Sequence, residues 1–179
     1  MSAVLMVRAK PARHRAGVIA MVTARAAWGR ERQLRVSDDV AATLASQLGE
    51  AEWPVWVLED EGTVLGCTTV LEECPAWAYT DAERAESSYF LASTWTRPTD
   101  GARLGHVIAR WALDHAARTS RSHVRRGAFH ARLADYYCRE QGWRLLREVE
   151  RRGRTAYIMS RPAEQQPDLP VLTQTAQTE

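Results

Sequence analysis

This chain has almost no lysine and no excess of charge of either sign. Lys10 is the only lysine among 24 basic residues, and 22 acidic residues leave a formal net charge of +2 over 179 residues. Nucleic-acid-binding domains carry a concentrated basic surface, which so balanced a composition does not predict. Hydrophobic residues make up 45% of the chain, a share typical of a folded globular protein. We therefore expect no nucleic-acid partner.

Cysteine pairs, metal-ligand spacings and long apolar runs are also missing. Cys67, Cys74 and Cys138 form no CxxC motif and are odd in number, which argues against a disulfide framework and a structural zinc site. The five histidines have no ligand spacing either, so no metal is expected. The apolar stretch Val4–Val7 is too short for a secretory signal or a membrane span. We expect a cytoplasmic protein without a membrane partner.

The length of the chain predicts one compact domain, which we place at residues 1–161. After Pro162 the residues are mostly Pro, Gln, Thr and Asp with few large apolar groups. Such a composition cannot bury enough apolar surface to offset the entropy of ordering. We expect residues 162–179 to be a disordered tail.

Hydrophobic periodicity predicts the element order β, α, α, β, β, β, α, β, α, β, β, which is a mixed sheet covered by helices. The predicted strands are Val4–Val7, Pro54–Glu59, Thr63–Leu71, Ser88–Trp95, His123–Phe129 and a hairpin over Trp143–Arg161 that turns near Arg152–Gly153. The predicted helices are Ala16–Trp28, one that Ser37 caps, one from Leu104 to about Thr119, and Leu133–Gln141 with Gly142 as its C-cap.

A loop of small residues joins the strand that ends near Trp95 to the helix that begins at Leu104. Gly101 and Gly105 lack a Cβ, so the backbone can approach an anion closely. The first amides of a helix have no intrahelical acceptor and lie at the positive end of its dipole. This junction predicts a site for a diphosphate, and an ordinary turn before a helix is the alternative reading of the glycines alone.

The same junction resembles the central motif of the GNAT superfamily of acyl-CoA N-acyltransferases, Arg/Gln-x-x-Gly-x-Gly/Ala. Gly105 falls on the last motif position, and Gly101 matches the glycine that commonly follows the first position. Asp100 stands in place of the usual Arg or Gln, and Arg103 stands in place of the middle glycine. The resemblance in element order extends from about Val4 to Arg161.

The resemblance implies an α/β (α+β) fold with a mixed, mostly antiparallel central sheet of about seven strands, flanked by about four helices. It implies acetyl-CoA as co-substrate and no metal. The residues implied in binding it are Thr94, Trp95, Thr96, Gly101, Ala102, Arg103, Leu104, Gly105 and His106.

A second family pattern, Asn-x-x-Ala-x-x-Leu-Tyr-x-x-x-Gly-Phe, is matched in part by Ala134, Gly142 and Trp143. In the family its tyrosine protonates the departing CoA thiolate. Cys138 falls on that position and Tyr137 precedes it. Either could be the acid, while core packing is the alternative role for both.

The amine needs a base, because only its neutral form attacks the thioester. Glu86 and Glu72 are the candidates, with Glu73 beside them, and an ordinary surface glutamate is the alternative for each. We expect an N-acetyltransferase that acts on a primary amine of a small molecule. A protein or peptide amine, and a non-catalytic acyl-CoA-binding module, are the alternatives. The resemblance leaves a homodimer open.

Overall fold

The computed structural model describes residues 4–99 and 103–174. Over these residues the chain forms eight strands and five helices. The strands are β1 (Val4–Arg8), β2 (Val55–Asp60), β3 (Thr63–Leu71), β4 (Ser88–Thr96), β5 (His123–Ala128), β6 (Arg144–Arg151), β7 (Arg154–Pro162) and β8 (Val171–Gln174). The helices are α1 (Pro11–Glu31), α2 (Val40–Gln47), α3 (Asp81–Ala85), α4 (Leu104–Arg118) and α5 (Ala131–Gln141).

The strands form one sheet in the order β6-β7-β5-β4-β3-β2-β1-β8. The β1–β2, β2–β3, β5–β7 and β6–β7 pairs are antiparallel, whereas β4–β5 and β1–β8 are parallel. The predicted mixed, mostly antiparallel sheet with flanking helices is confirmed. The described chain has one strand and one helix more than predicted, namely β8 and α3.

Two compact units divide the chain, and β4 and α4 each contribute residues to both. The first unit contains described residues 4–70, 93–99, 103–108 and 169–174. The second contains residues 71–92 and 109–168.

The core of the first unit lies between α1, α2 and strands β1 to β3. Val18 and Val22 of α1 are fully buried, and they belong to the same apolar cluster as Val57 of β2. Apolar residues at helical spacing on one helix face produce this burial. Helix α1 is longer than predicted because Pro11, whose missing N–H costs nothing at a helix start, opens it. The predicted cap Ser37 lies outside α2, whose N-cap is Asp39.

Both predicted hairpin turns are confirmed. The β2–β3 turn has φ of 48° at Glu61 and 82° at Gly62, and the β6–β7 turn has φ of 52° at Arg152 and 75° at Gly153. Two successive positive φ angles define the turn that matches the twist of paired strands. Glycine supplies the second position without steric cost.

The core of the second unit includes Tyr79, Ala156 and Ile158. Helix α3 precedes β4 in a segment for which no helix or strand was predicted. It begins with a capping box, in which the Thr80 hydroxyl accepts from the Glu83 amide and the Glu83 carboxylate accepts from the Thr80 amide. This arrangement satisfies two backbone donors that would otherwise lack acceptors.

The C-terminal segment differs from the predicted disordered tail. Pro162 is the last residue of β7, and Val171–Gln174 form β8, which pairs in parallel with β1 from Val4↔Val171 onward. Within β8 only Val171 is buried, while Leu172 is 60% exposed. One buried side chain in four residues leaves no periodic signal, so long-range pairing decides this strand. Among the described residues, no helix has both the length and the apolar character that a membrane span requires.

Candidate functional site

In the first unit, β3 occupies one edge of the final residues of β4. The Thr68 hydroxyl donates to the Ser93 carbonyl at 3.0 Å and lies 2.9 Å from the Thr94 hydroxyl. The Arg97 amide donates to the Leu65 carbonyl at 2.9 Å. A Cβ on Gly66 would lie 2.9 Å from the Trp95 carbonyl oxygen. Only glycine therefore allows β3 to approach β4 this closely.

The other edge of β4 has a strand partner over only part of its length. Pairing with β5 runs from Ser88↔His123 to Leu91↔Arg126, and these four pairs all lie in the second unit. β4 then continues to Thr96 with no further pairs to β5 in the described part of the chain. Unpaired backbone N–H and C=O groups along a strand edge are a template for an extended ligand.

The N-terminus of α4, in the first unit, has the features expected of an anion site. The amides of His106 and Val107 both donate to the Arg103 carbonyl at 3.0 Å. Leu104 and Gly105 are the first two helical residues, whose amides have no acceptor within an α-helix. Among the described residues, a Cβ built on Gly105 would meet no atom within 4 Å. The Arg103 side chain, just before the helix, is exposed.

The structure places six of the predicted cofactor residues on two elements of the first unit. Thr94, Trp95 and Thr96 lie on β4, and Leu104, Gly105 and His106 on the first turn of α4. Gly101 and Ala102, together with Asp100, lie outside the described residues.

Tyr137, the predicted acid, lies on α5 in the second unit. Its hydroxyl oxygen accepts a hydrogen bond from Arg126 Nη2 at 2.9 Å, and the Arg126 guanidinium lies 3.9 Å from the centroid of its ring. Arg126 is paired with Leu91, and this is the last residue pair between β5 and β4. Within this unit the Tyr137 hydroxyl therefore contacts the side chain of the last β5 residue that pairs with β4. Cys138, the alternative acid, is a half-buried free cysteine.

Glu86, the first candidate base, contacts Arg125, which precedes Arg126 on β5. Arg125 Nη2 donates to Glu86 Oε2 at 2.7 Å, and His123 Nδ1 lies 3.2 Å from the same oxygen. Successive side chains on a strand point to opposite faces of the sheet. Glu86 with Arg125 and Tyr137 with Arg126 therefore lie on opposite faces of β5, so the structure does not bring these two candidates together.

Glu72, the second candidate base, is exposed and also binds an arginine, since Arg121 Nη2 donates to Glu72 Oε1 at 2.9 Å. Glu73 is exposed as well. Among the described residues, no group of three or more His, Cys, Asp or Glu side chains lies close enough together to hold a metal ion.

Arg125, Arg126 and Tyr79 also belong to this region, and none of them was predicted from the sequence as a site residue. The Tyr79 hydroxyl donates to the carbonyls of Arg126 at 3.1 Å and Met159 at 2.9 Å, which ties the loop before α3 to β5 and β7. Burial raises the pKa of Tyr79 far above its ordinary value. The sequence signal that could have identified them is the pair of adjacent arginines in an apolar strand, because a buried charge needs a specific partner.

Solved structures supply the comparison that decides the fold. An acetyltransferase of the GNAT family from Listeria monocytogenes superposes with a TM-score of 0.69 at 16% identity, over 90% of this chain and 98% of that one. A candidate acetyltransferase from Salmonella typhimurium, solved with its cofactor acetyl-CoA, superposes with a TM-score of 0.56 at 17% identity, over 93% and 98%. The chain has the GNAT acetyltransferase fold.

A further structure with the GNAT fold is an aminoglycoside 6'-acetyltransferase of type Ii, with a TM-score of 0.62 at 9% identity over 91% of this chain and 99% of that one. No family model and no curated protein matches the sequence. At these identities the likeness establishes the GNAT fold alone. A fold does not determine an activity, which depends on the residues of the site.

Proposed function

We propose that this chain is an N-acetyltransferase that moves the acetyl group of acetyl-CoA to a primary amine of a small molecule, by direct attack in a ternary complex. The observation that carries the proposal is the open first turn of α4. There the amides of Leu104 and Gly105 face no intrahelical acceptor, and a Cβ on Gly105 would meet no atom of residues 4–99 or 103–174 within 4 Å. An anion at such a helix end is stabilised by these donors and by the helix dipole.

The strand that leads to this helix would hold the rest of the co-substrate. The unpaired edge of Thr94–Thr96 can pair with the amide groups of an extended pantetheine arm, as an added strand would. Gly101, Ala102 and His106 complete the proposed binding set. Arg103 is exposed and can add a charge-assisted hydrogen bond to a phosphate.

The proposed chemistry forms one C–N bond and breaks one C–S bond. The neutral amine attacks the thioester carbon, and the Tyr137 hydroxyl gives its proton to the CoA sulfur as that sulfur leaves. The excess proton of the amine passes through water to a carboxylate, for which Glu86 and Glu72 are the candidates. Comparing the acidic limb of the pH–rate profile in Glu86→Gln and Glu72→Gln decides between the two. Cys138 is the alternative acid.

A small-molecule acceptor is supported by a neighbour that acts on an aminoglycoside at a TM-score of 0.62. A protein or peptide amine is the alternative acceptor. The second candidate function is a silent acyl-CoA-binding module, which is favoured by the departures from the family motifs at Asp100, Arg103 and Cys138.

The test is CoA thiol release from acetyl-CoA with a panel of small amines and peptides, together with calorimetric titration of CoA. We expect Gly105→Leu to abolish both binding and turnover, because the new side chain occupies the space above the helix amides. Leucine is a better helix former than glycine by about 0.5–1 kcal/mol, so the variant should be at least as stable as the wild type.

Ala131→Leu is the matched control, since Ala131 is exposed in the first turn of α5 and the change adds the same side chain. It should bind CoA as the wild type does. Undiminished CoA affinity in Gly105→Leu would refute the phosphate site. Wild-type protein that binds CoA but releases no thiol with any amine would establish the silent module instead.

A further inference from the structure

Arg126 is a buried cation for which the described part of the chain supplies no acidic partner. Its residue is 5% exposed, and the structure places no carboxylate of residues 4–99 or 103–174 in an ion pair with it. Its Nε has no hydrogen-bond partner within the same residues. Burying an uncompensated charge costs several kcal/mol of folding stability. A functional role would explain an arginine at this position.

The neighbouring arginine shows the contrast. Arg125 is 2% exposed, but its guanidinium is neutralised by Glu86 at 2.7 Å and also donates to the carbonyl of Glu83 and to the hydroxyls of Ser88 and Ser160. Satisfied on all sides in this way, Arg125 holds α3, β4 and β7 together. Within the described residues, Arg126 has no comparable set of polar contacts.

The groups that surround Arg126 are aromatic. Its guanidinium lies 3.9 Å from the centroid of the Tyr137 ring and 5.4 Å from that of Trp143. Burial lowers the pKa of Arg126 from its ordinary value, and the electrostatic interactions with Tyr137 and Tyr79 act in the opposite direction. The contact that is both polar and directional is the 2.9 Å hydrogen bond from Nη2 to the Tyr137 oxygen.

That hydrogen bond has a consequence for the Tyr137 proton. A phenol oxygen that accepts from Arg126 on one side must direct its own hydrogen elsewhere. A fixed positive charge at 2.9 Å also stabilises negative charge on that oxygen more strongly in a buried site than in water.

We propose that Arg126 is the positioning residue for Tyr137, which aims the tyrosine O–H toward the leaving sulfur and stabilises the phenolate left after proton transfer. The inference rests on the proposed acetyl transfer. In that step the Tyr137 proton goes to the sulfur of CoA while the C–S bond breaks, and the phenolate regains a proton from water. Arg126 itself exchanges no proton and does not touch the acyl group.

The experiment is a double-mutant cycle on kcat and on KM for acetyl-CoA. General acid catalysis contributes on the order of 10²–10⁴-fold, so Tyr137→Phe should lower kcat by about 10²-fold or more. Arg126→Met should lower kcat by at least about tenfold and leave KM for acetyl-CoA unchanged. The double variant should be no slower than Tyr137→Phe, because Arg126 acts only through that hydroxyl.

Two further variants separate positioning from folding. Arg126→Lys keeps the charge and one donor, and should recover most of the activity lost in Arg126→Met. Tyr89→Phe is the matched control, because it removes another hydrogen-bonded phenol of the second unit, 3.0 Å from the Thr119 hydroxyl. Its effect on kcat should be small and should add to that of Arg126→Met.

The outcomes are distinguishable from failure of the proposed function. A wild-type protein that frees no thiol with any amine overturns the acetyl transfer on which the inference depends. If the wild type is active, additive losses in Arg126→Met and Tyr137→Phe overturn the inference, as does an unaffected kcat in either. If circular dichroism shows that Arg126→Met does not fold, Arg126→Lys and Arg126→Gln are compared instead. A kcat of Arg126→Lys no higher than that of Arg126→Gln would then also overturn the inference.

Discussion

The ion pair between Glu83 of α3 and Arg147 of β6 predicts a measurable dependence of stability on acid. Arg147 Nη1 and Nη2 donate to the two carboxylate oxygens of Glu83 at 2.9 and 2.6 Å, and the Thr80 amide donates to Oε2 at 2.9 Å. These hydrogen bonds, that of Arg147 foremost, lower the pKa of Glu83 from 4.5 to about 2. A carboxylate held in this way is more acidic in the folded protein than in the unfolded chain.

The sign of the effect follows from that direction. Because the folded pKa lies below the unfolded one, the stabilisation is fully present above pH 4.5 and is lost as the pH falls toward 2. A drop of this size corresponds to at most about 3.5 kcal/mol. The side chains of Arg147 and Glu83 keep 33% and 19% of their exposure, and solvent screening reduces the expected contribution to about 1–2 kcal/mol.

The assay is urea unfolding of wild type and Glu83→Gln at pH 7 and at pH 2.5. At pH 7 the variant should be less stable by about 1–2 kcal/mol, since the amide keeps the shape but not the charge. At pH 2.5 the difference should shrink markedly. Glu148→Gln, an exposed residue of the same strand β6, is the control and should differ little from wild type at either pH. A stability difference of the same size at both values would refute the assignment.

Further predictions concern packing and thiol reactivity. Gly66→Ala should destabilise the protein by about 1–3 kcal/mol in urea unfolding, because its Cβ would lie 2.9 Å from a carbonyl oxygen of β4; an unchanged midpoint would show that β3 can shift. Val171→Asp should cost about 2–4 kcal/mol and Leu172→Asp about 0.5 or less, because only the first is buried; equal effects would argue against β8. Burial raises the pKa of Cys67 to about 12, so at pH 8 a thiol reagent followed by mass spectrometry should label the half-buried Cys138 first, and faster labelling of Cys67 would contradict its burial.

Much of the architecture was predictable because its signals are local. The turns at Glu61–Gly62 and Arg152–Gly153 and the cap at Gly142, with φ of 70°, each depend on conformations that glycine adopts without strain. The apolar stripe of α4 and the loop before it lie within one stretch of chain. Helix α3 also had a local signal in Thr80-x-x-Glu83, the capping box at its start.

The relations between candidate catalytic residues depend on the tertiary structure. Glu86 and Tyr137 were both reasonable candidates from their residue types, yet neighbouring positions of β5 direct their arginine partners to opposite faces. Alternation along β5 separates the two arginines, but only the tertiary structure decides that Glu86 contacts Arg125 and that Tyr137 contacts Arg126. The burial of Arg126 follows in the same way from the packing of α5 against β5.

The sequence by itself determined the kind of each long element and both tight turns, because these are set by residues a few positions apart. Only the tertiary structure decided that Val171–Gln174 adds a strand beside β1 and that Arg126 lies against the Tyr137 hydroxyl. The first contact joins segments far apart in the chain and the second joins consecutive elements, and the free energy of both comes from burial and pairing that exist only once the sheet has formed.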